Sequence, residues 1–253
     1  MNQQFLRTEM LLGEAAMEKL AASHVAVFGL GGVGSWCAEA LARAGVGKLT
    51  LVDDDMVSPT NLNRQVEATY SSLGQPKAIA MSVRLRDINP EGKFNPEGKF
   101  IPKCFRYSAE GRDDFFPADF DYIVDAIDLV SCKLDLIETA MKQGIPIVSA
   151  LGTGNKLDAG QFRIADISKT TGCPLARIIR KELRARGINH HKVVFSPELA
   201  AETEQKETPP PGRRSVPASA PWVPPVAGFL LAQAVITDLI AAIQDGSQEA
   251  PAE

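Results

Sequence analysis

The amino-acid sequence predicts an α/β fold: a doubly wound, mainly parallel sheet with helices on both faces and a C-terminal α/β extension. The apolar run His24–Phe28 ends abruptly in a glycine-rich turn, Gly29–Gly34. A helical segment follows through Ala44, and a second apolar run, Lys48–Val52, completes a strand–turn–helix–strand unit. Such units are right-handed and place their two strands parallel in one sheet. Apolar runs and helical segments continue to alternate afterwards, as is typical of this fold class.

Periodicity and helix-start signals predict the other elements. Glu9–Ala22 carries apolar residues at helical spacing, which predicts an amphipathic helix ahead of the first strand. A proline at the start of a periodic segment favours another helix from Pro76. The downstream elements are helices at Pro76–Ile88, Leu129–Met141, Pro174–Arg186 and Val226–Ile243, and strands at Asp121–Asp125, Ile145–Val148 and Gln161–Ile167.

We expect one structural domain with two parts, a core over residues 1–155 and an extension over residues 156–253. Seven of the 17 prolines fall in residues 201–225, which predicts a mobile loop. The final helix contains Gln233 and Asp238 and is too polar for a comfortable membrane span. It is expected to pack on the domain or a second subunit, and membrane contact would be peripheral. The tandem NPEGKF repeat, Asn89–Phe94 and Asn95–Phe100, predicts a surface loop lengthened by duplication.

The composition excludes several classes of protein. The chain has 253 residues, 45% hydrophobic and 23% charged, and a formal net charge of −4, which argues against a protein that binds nucleic acid over its whole surface. The N-terminus has no apolar signal segment, so a cytoplasmic location is expected. No two cysteines form a CxxC pair, so neither a disulfide framework nor a zinc ribbon is expected; they are Cys37, Cys104, Cys132 and Cys173.

The glycine turn is the first candidate binding site. Glycines at Gly29, Gly31, Gly32 and Gly34 let backbone approach a phosphate closely, and the following helix offers free N–H groups, as in Rossmann-like nucleotide-binding proteins. A tight turn without a ligand is the alternative. Asp53 ends the second strand, where an acidic residue commonly holds ribose hydroxyls. A solvated acidic turn over Asp53–Asp55 is the alternative there.

Three further charges point to a triphosphate. Asn61 and Arg64 stand three residues apart and share one face of a helical turn. Lys77 lies in a helix's first turn, where a cation is unfavourable unless an anion sits nearby. Asp128 follows a strand's carboxyl end and could hold Mg²⁺ against phosphate oxygens. The alternatives are solvated surface charges for the two cations and a helix N-cap for Asp128.

Together these residues resemble the ubiquitin-activating-type (ThiF-like) adenylyltransferase superfamily over about residues 5–155. The motifs that carry the resemblance are GLGGVG at Gly29–Gly34, VDDDMVSPTNLNRQ at Val52–Gln65, GQPKA at Gly74–Ala78 and DAID at Asp125–Asp128. The resemblance implies ATP bound at the glycine turn with Mg²⁺. Zinc is not expected, because the paired CxxC ligands usual in the superfamily's sulfur-carrier activators are absent from this sequence. It also implies a homodimer in which Arg7 of one subunit reaches the partner's ATP. The implied ATP-binding residues are Gly29, Gly31, Gly32, Gly34, Asp53, Asp55, Asn61, Arg64, Gln65, Lys77 and Asp128, with Arg7, Arg64, Lys77 and Asp128 in catalytic roles.

The second half of the chain resembles the tRNA threonylcarbamoyladenosine dehydratase branch of that superfamily. The stretches concerned are Asp166–Ile188, Val193–Glu198 and Pro225–Ile236, together with GGVGSW at Gly31–Trp36. This branch implies ATP-dependent cyclisation of threonylcarbamoyladenosine in tRNA through carboxylate adenylation. Leu129 departs from the superfamily's usual asparagine. Two alternatives remain: activation of a ubiquitin-like sulfur carrier, and a NAD-binding regulator without catalysis.

A tRNA substrate requires local positive charge. The predicted helix Pro174–Arg186 has basic residues at steps of three or four, so one of its faces is cationic; a merely solvated helix is the alternative. The predicted nucleic-acid contacts are Arg177, Arg180, Lys181 and Arg184, with Arg213 and Arg214 as further candidates in the proline-rich loop. A sulfur-transfer protein is a possible additional partner.

Overall fold

A computed structural model describes residues 3–90, 99–112, 116, 119–209 and 216–247. Most of the NPEGKF repeat, together with Arg213 and Arg214, lies outside the described residues. The described elements alternate along the chain. The helices are α1 (Leu6–Leu12), α2 (Glu14–Ala22), α3 (Gly34–Arg43), α4 (Lys77–Ile88), α5 (Val130–Lys142), α6 (Pro174–Ala185) and α7 (Val223–Ser247). The strands are β1 (His24–Phe28), β2 (Lys48–Val52), β3 (Phe100–Lys103), β4 (Tyr122–Asp125), β5 (Ile147–Ala150), β6 (Arg163–Asp166) and β7 (Lys192–Phe195).

The seven strands form one sheet in the order β3-β2-β1-β4-β5-β7-β6. All neighbours are parallel except β6, which runs antiparallel to β7 at one edge. This confirms the predicted doubly wound, mainly parallel fold. The extension contributes to the same sheet, because β7 pairs with β5. The strand order reverses direction between β1 and β4, and open α/β sheets bind ligands beside such a reversal, at the strands' carboxyl ends.

Two apolar layers cover the sheet. α2, α3, α4 and α7 pack on one face, whose core includes Leu41, Met81 and Leu231. α5 and α6 pack on the other face, around residues such as Ile137 and Ile179. The central strand β1 is buried along its whole length, as expected for a parallel strand covered on both faces.

The N-terminal helix differs from its prediction. Gly13 has φ +87° and divides the segment into α1 and α2, because that backbone conformation cannot continue a right-handed helix. The other predicted elements have boundaries within a few residues of those observed, whereas β3 and β7 were not predicted. β6 is flanked by two 3₁₀ turns, so the predicted strand Gln161–Ile167 shortens to Arg163–Asp166.

The last helix begins at Val223, three residues earlier than predicted, with Pro224 and Pro225 in its first turn where their missing N–H groups are tolerated. Its stretch Val223–Ala241 is long and apolar enough to cross a membrane by length and composition, but 61% of it is buried inside the protein. α7 packs closely on α3: a Cβ on Gly228 would lie 2.4 Å from the carbonyl oxygen of Val33. It therefore serves as a core helix of this fold.

Candidate nucleotide-binding and catalytic site

The glycine turn joins β1 to α3 and fits tightly against the end of β4. Gly29 has φ +88°, and a Cβ there would lie 2.7 Å from the carbonyl oxygen of Ala126. A Cβ on Gly34 would lie 1.8 Å from the carbonyl oxygen of Gly29. Both positions therefore require glycine. At Gly31 the space is open, since the nearest atom to a Cβ would be Gln65 Nε2 at 3.9 Å. Backbone that is bare on this side and leads into a helix N-terminus suits a phosphate.

Arg64 packs its aliphatic stem on the same turn. A Cβ on Gly32 would lie 3.1 Å from Arg64 Cγ and 3.0 Å from Pro224 Cβ. The guanidinium is half-buried and donates hydrogen bonds to the carbonyl oxygen of Thr60 at 2.8 Å and to Asn63 Oδ1 at 3.0 Å. Burial lowers the pKa of Arg64, although arginine stays charged at neutral pH. The predicted cation thus stands directly beside the glycine turn.

Asp53 ties the end of β2 to that turn. Its Oδ2 accepts a hydrogen bond from the Leu30 amide at 2.6 Å, and its Oδ1 accepts one from the Asp55 amide at 2.9 Å. Burial raises the pKa of Asp53, while Lys77 and these two amides act in the opposite direction. Each carboxylate oxygen has a second acceptor position, so a ribose hydroxyl can still bind there.

Lys77 is the first residue of α4 and is only 5% exposed. Its Nζ lies 2.8 Å from Asp55 Oδ2, and its amide donates to the Asp55 carbonyl oxygen at 2.9 Å. The carboxylate of Asp55 therefore supplies the negative charge that a lysine at a helix N-terminus needs. Because Asp55 also contacts Asp53, Lys77 connects to the glycine turn through two acidic residues.

Two predicted amide contacts lie in different surroundings. Asn61 ends a short 3₁₀ turn, Pro59–Asn61, and its Oδ1 accepts a hydrogen bond from the Ser58 amide at 3.0 Å. That oxygen is therefore occupied in capping the turn. Gln65 is buried beside Gly31, and its Oε1 has no hydrogen-bond partner among the described residues. Gln65 is thus the better placed of the two to meet a ligand at the turn.

Asp128 lies three residues beyond β4, on the exposed segment that follows Ala126. The N-cap residue of α5 is Leu129, so Asp128 does not occupy the N-cap position that was its alternative role. The preceding strand end is fixed from within: Asp125 Oδ2 lies 2.6 Å from Lys133 Nζ, and both side chains are fully buried. Lys133 also donates to the Ala150 carbonyl oxygen at 3.0 Å, and Asp125 Oδ1 accepts from the Ile127 amide at 3.1 Å.

The structure therefore brings most of the predicted residues to one place. Gly29 and Gly34 lie close to Ala126, and Gly32 lies close to Arg64. Asp53 accepts a hydrogen bond from the turn, and Asp55 links Asp53 to Lys77. Asp128 is exposed and could offer one carboxylate to Mg²⁺, an ion that usually takes one or two carboxylates together with waters and phosphate oxygens. Arg7 is exposed on α1, and its action on a partner subunit's ATP stays a prediction.

The basic helix α6 is only partly as predicted. Arg177, Lys181 and Arg184 are exposed, whereas Ala176, Ile179 and Leu183 face the core. Arg180 is half-buried instead, and its Nη1 donates to the Thr170 carbonyl oxygen at 2.8 Å and to Thr170 Oγ1 at 2.6 Å. The cationic face therefore consists of three freely exposed side chains, and Arg180 mainly fastens α6 to the preceding loop.

Glu67 was not predicted. It is 3% exposed, lies two residues after Gln65, and has no hydrogen-bond partner for either carboxylate oxygen among the described residues. Burial raises the pKa of Glu67 to about 7. No sequence signal marks it, because a glutamate in a polar stretch is typical of an exposed loop.

A separate cavity of about 550 Å³ lies at the amino-terminal ends of the parallel strands, the opposite end from the glycine turn. Ile147, Asp166 and Lys192 are among its lining residues. It is remote from the glycine turn and contributes nothing to the site just described.

The chain is similar to known proteins in both sequence and structure. The sequence matches the ThiF family over residues 5–247. It is 41% identical over 250 residues to the tRNA threonylcarbamoyladenosine dehydratase of Bacillus subtilis strain 168, covering 95% of this chain and 96% of that protein. The structure is similar to that of the Escherichia coli tRNA N6-threonylcarbamoyladenosine dehydratase TcdA in complex with ATP, with a TM-score of 0.84, 33% identity and 96% of each chain covered.

Similarity to sulfur-carrier activators is narrower. The molybdopterin-synthase adenylyltransferase of Haemophilus influenzae is 34% identical over 132 residues, which covers 52% of this chain and 51% of that protein. The dehydratase similarity, by contrast, extends over nearly the whole chain. The chain therefore belongs to the ThiF family, and within that family it groups with the tRNA threonylcarbamoyladenosine dehydratases.

Proposed function

We propose that this protein catalyses the ATP-dependent dehydration, by cyclisation, of threonylcarbamoyladenosine in tRNA through adenylation of a carboxylate. The observation that carries the proposal is the agreement of two facts. The chain shares sequence and fold along almost its whole length with dehydratases of this kind, one of them solved with ATP. Arg64 and Asp53 also contact the glycine turn at the end of β1, and Asp55 links Lys77 to Asp53.

In this proposal ATP lies with its phosphates on the glycine turn. Amide groups from Gly31 onward and the N-terminus of α3 bind phosphate oxygens. Asp53 accepts from the ribose, while Arg64 and Lys77 neutralise the triphosphate. When bound at Asp128, Mg²⁺ would supply further charge neutralisation on the phosphates. Asn61 and Gln65 offer amide N–H groups to the same ligand.

A carboxylate must be activated before another group can attack its carbon, because direct attack would have to expel oxide, a very poor leaving group. The threonine carboxylate of the modified adenosine attacks the α-phosphorus of ATP, which forms an acyl-adenylate and releases pyrophosphate. The neighbouring carbamoyl group then attacks the acyl carbon. AMP leaves with one former carboxylate oxygen, and the carbamoyl group loses a proton. Ring closure is intramolecular, so it needs no protein nucleophile. Arg64 and Lys77 act by stabilising negative charge on the phosphates.

The tRNA would meet the exposed cations of α6. Arg177, Lys181 and Arg184 lie on the outer face of that helix, while its other face packs into the core. Their charges would bind the phosphate backbone without reading sequence. We further propose a cytoplasmic homodimer in which Arg7 acts on the ATP of the partner subunit.

The test is mass spectrometry of tRNA nucleosides after incubation of the protein with ATP, Mg²⁺ and threonylcarbamoylated tRNA. We expect a product 18 mass units lighter than the substrate nucleoside, with one AMP and one pyrophosphate formed per product (~18 being the mass of the water lost, a consequence of the ring closure above). Lys77→Met should abolish turnover, because it removes a buried cation of the site. Lys142→Met is the matched control, since Lys142 is exposed on α5.

The alternative, activation of a ubiquitin-like sulfur carrier, gives a different result. A carrier protein with a diglycine terminus would then stimulate exchange of pyrophosphate into ATP, and modified tRNA would not. That outcome would overturn the dehydratase proposal and leave the adenylation site intact.

A further inference from the structure

Glu67 is a buried carboxylate for which the proposed reaction has no task. Only 3% of the residue is exposed, and neither oxygen has a hydrogen bond of acceptable geometry among the described residues. Buried polar atoms are almost always satisfied in proteins, so an exception beside a ligand site needs an explanation. The main chain at Glu67 is fixed, because its carbonyl oxygen accepts from Ser72 Oγ at 2.7 Å.

Charged and polar groups face Glu67 from every neighbouring element. Lys77 and Arg84 on α4, Arg64 in the preceding turn and Asp53 at the end of β2 interact electrostatically with Glu67. The chain beside Glu67 also contacts the start of α3, where Ser35 Oγ accepts from the Val66 amide at 3.4 Å. Arg84 is committed elsewhere, since its Nε lies 2.5 Å from Glu39 Oε2 and its Nη2 lies 3.0 Å from Glu39 Oε1. Among the described residues, Lys77 and Arg64 also interact electrostatically with Glu67, and these two are proposed to bind the triphosphate.

This arrangement makes the charge of Glu67 sensitive to the ligand. Burial raises the pKa of Glu67 to about 7, against the opposing effects of its own amide, Lys77 and Ser35. At slightly alkaline pH the carboxylate is thus mainly ionised, with Lys77 stabilising the charge. A triphosphate on the glycine turn would bring several negative charges to Lys77 and Arg64. In a poorly solvated site, a second negative group beside the same cations strongly favours the protonated acid.

We propose that Glu67 couples nucleotide binding to proton uptake: the carboxylate is ionised in the free protein and takes a proton from the buffer when a triphosphate binds at the glycine turn. The inference rests on the proposed ATP site. In this step one O–H bond forms on Glu67, one buffer acid loses its proton, and no other bond changes.

The direction of the pH dependence follows by linkage. Below pH 7 Glu67 is already protonated in the free protein, so ATP binds without proton uptake and with its highest affinity. Above pH 7 each binding event takes up close to one proton. The dissociation constant then rises by up to about tenfold per pH unit until the pKa of the complex is reached.

Isothermal titration calorimetry with Mg·ATP tests this directly. At pH 7.5, measurements in phosphate and in Tris, whose ionisation enthalpies differ, give the number of protons taken up. We expect about three quarters of a proton for the wild type, the ionised fraction of a group with a pKa near 7. Glu67→Gln should bind ATP with no proton uptake and a flat pH profile. Glu202→Gln, at an exposed loop glutamate, should match the wild type.

Each outcome decides the matter. ATP binding by the wild type with no proton uptake overturns the inference and leaves the proposed function standing. Proton uptake that persists in Glu67→Gln, or in Glu67→Ala if the glutamine variant does not fold, overturns it as well. A wild-type protein that binds no ATP in any buffer overturns the nucleotide site itself, and with it both proposals.

Discussion

Replacing Lys133 by methionine should destabilise the protein severely, because it leaves a fully buried carboxylate without its cation. Asp125 and Lys133 are both 0% exposed and lie 2.6 Å apart. Removing one partner of such a pair typically costs about 3–5 kcal/mol. In a chain of this size 1 kcal/mol corresponds to about 2–4 °C in melting temperature. The expected fall in Tm is therefore about 6–20 °C, and methionine keeps most of the side-chain volume.

Differential scanning calorimetry of four variants, Lys133→Met, Asp125→Asn, their double variant and the control Lys142→Met, would test this reasoning. Lys142→Met removes a pair with Glu138 whose lysine is 72% exposed, so its loss should cost less than about 1 kcal/mol. The double variant Asp125→Asn/Lys133→Met removes the charge as well as its partner, and it should recover at least half of the lost stability. A Tm for Lys133→Met within about 4 °C of the wild type, or a double variant as unstable as the sum of the two single ones, would refute the argument.

Three other predictions address the site and its surroundings. Gly31→Ala should leave Tm unchanged but weaken ATP binding at least tenfold in calorimetry, because a Cβ there has room in the protein yet stands where a phosphate would approach; full affinity would place the phosphates elsewhere. His191 is buried with its pKa lowered to about 3 by burial, so below its unfolded pKa near 6.5 the unfolded chain binds the extra proton. The free energy of unfolding should then fall by about 1.4 kcal/mol per pH unit below pH 6.5. Chemical denaturation at several pH values should show that this free energy depends less on pH in His191→Asn than in the wild type. The exposed cations of α6 are Arg177, Lys181 and Arg184. Replacing each by glutamine should weaken tRNA binding and reduce the slope of log affinity against log salt concentration by about one per residue, with ATP affinity unchanged. An unaltered slope in filter-binding assays would rule out this face as the tRNA contact.

The central strands and the glycine turn could be predicted from the sequence because their signals are local. β1 is buried along its whole length. Glycine is required at Gly29 and Gly34, because a Cβ at either position would lie less than 3 Å from a backbone atom. The break at Gly13 escaped prediction since apolar periodicity continues across it. β3 was also missed: it is a short, half-exposed edge strand that contains Pro102, so neither burial nor alternation marks it.

The candidate site, like the fold, contains some residues that local sequence signals predict and others that they miss. Arg64 and Lys77 were predicted by residue type and position; the structure packs Arg64 on the glycine turn and pairs Lys77 with Asp55. The role of Asp128 stays a prediction. Glu67 could not be identified, because its burial results from packing between segments distant in the chain. The half-buried state of Arg180 likewise depends on Thr170, a contact that helical periodicity alone cannot reveal.

The seating of α7 on the glycine turn has a consequence for biosynthesis. Pro224 and Gly228 pack against Gly32 and Val33, so the turn is supported by a helix that is translated nearly two hundred residues later, roughly the distance from position 32 to position 223. At elongation rates of roughly 5–20 residues per second, the glycine turn waits on the order of 10–40 s for that support. Nucleotide affinity should accordingly appear late and abruptly during synthesis, and chains stalled before α7 should lack it.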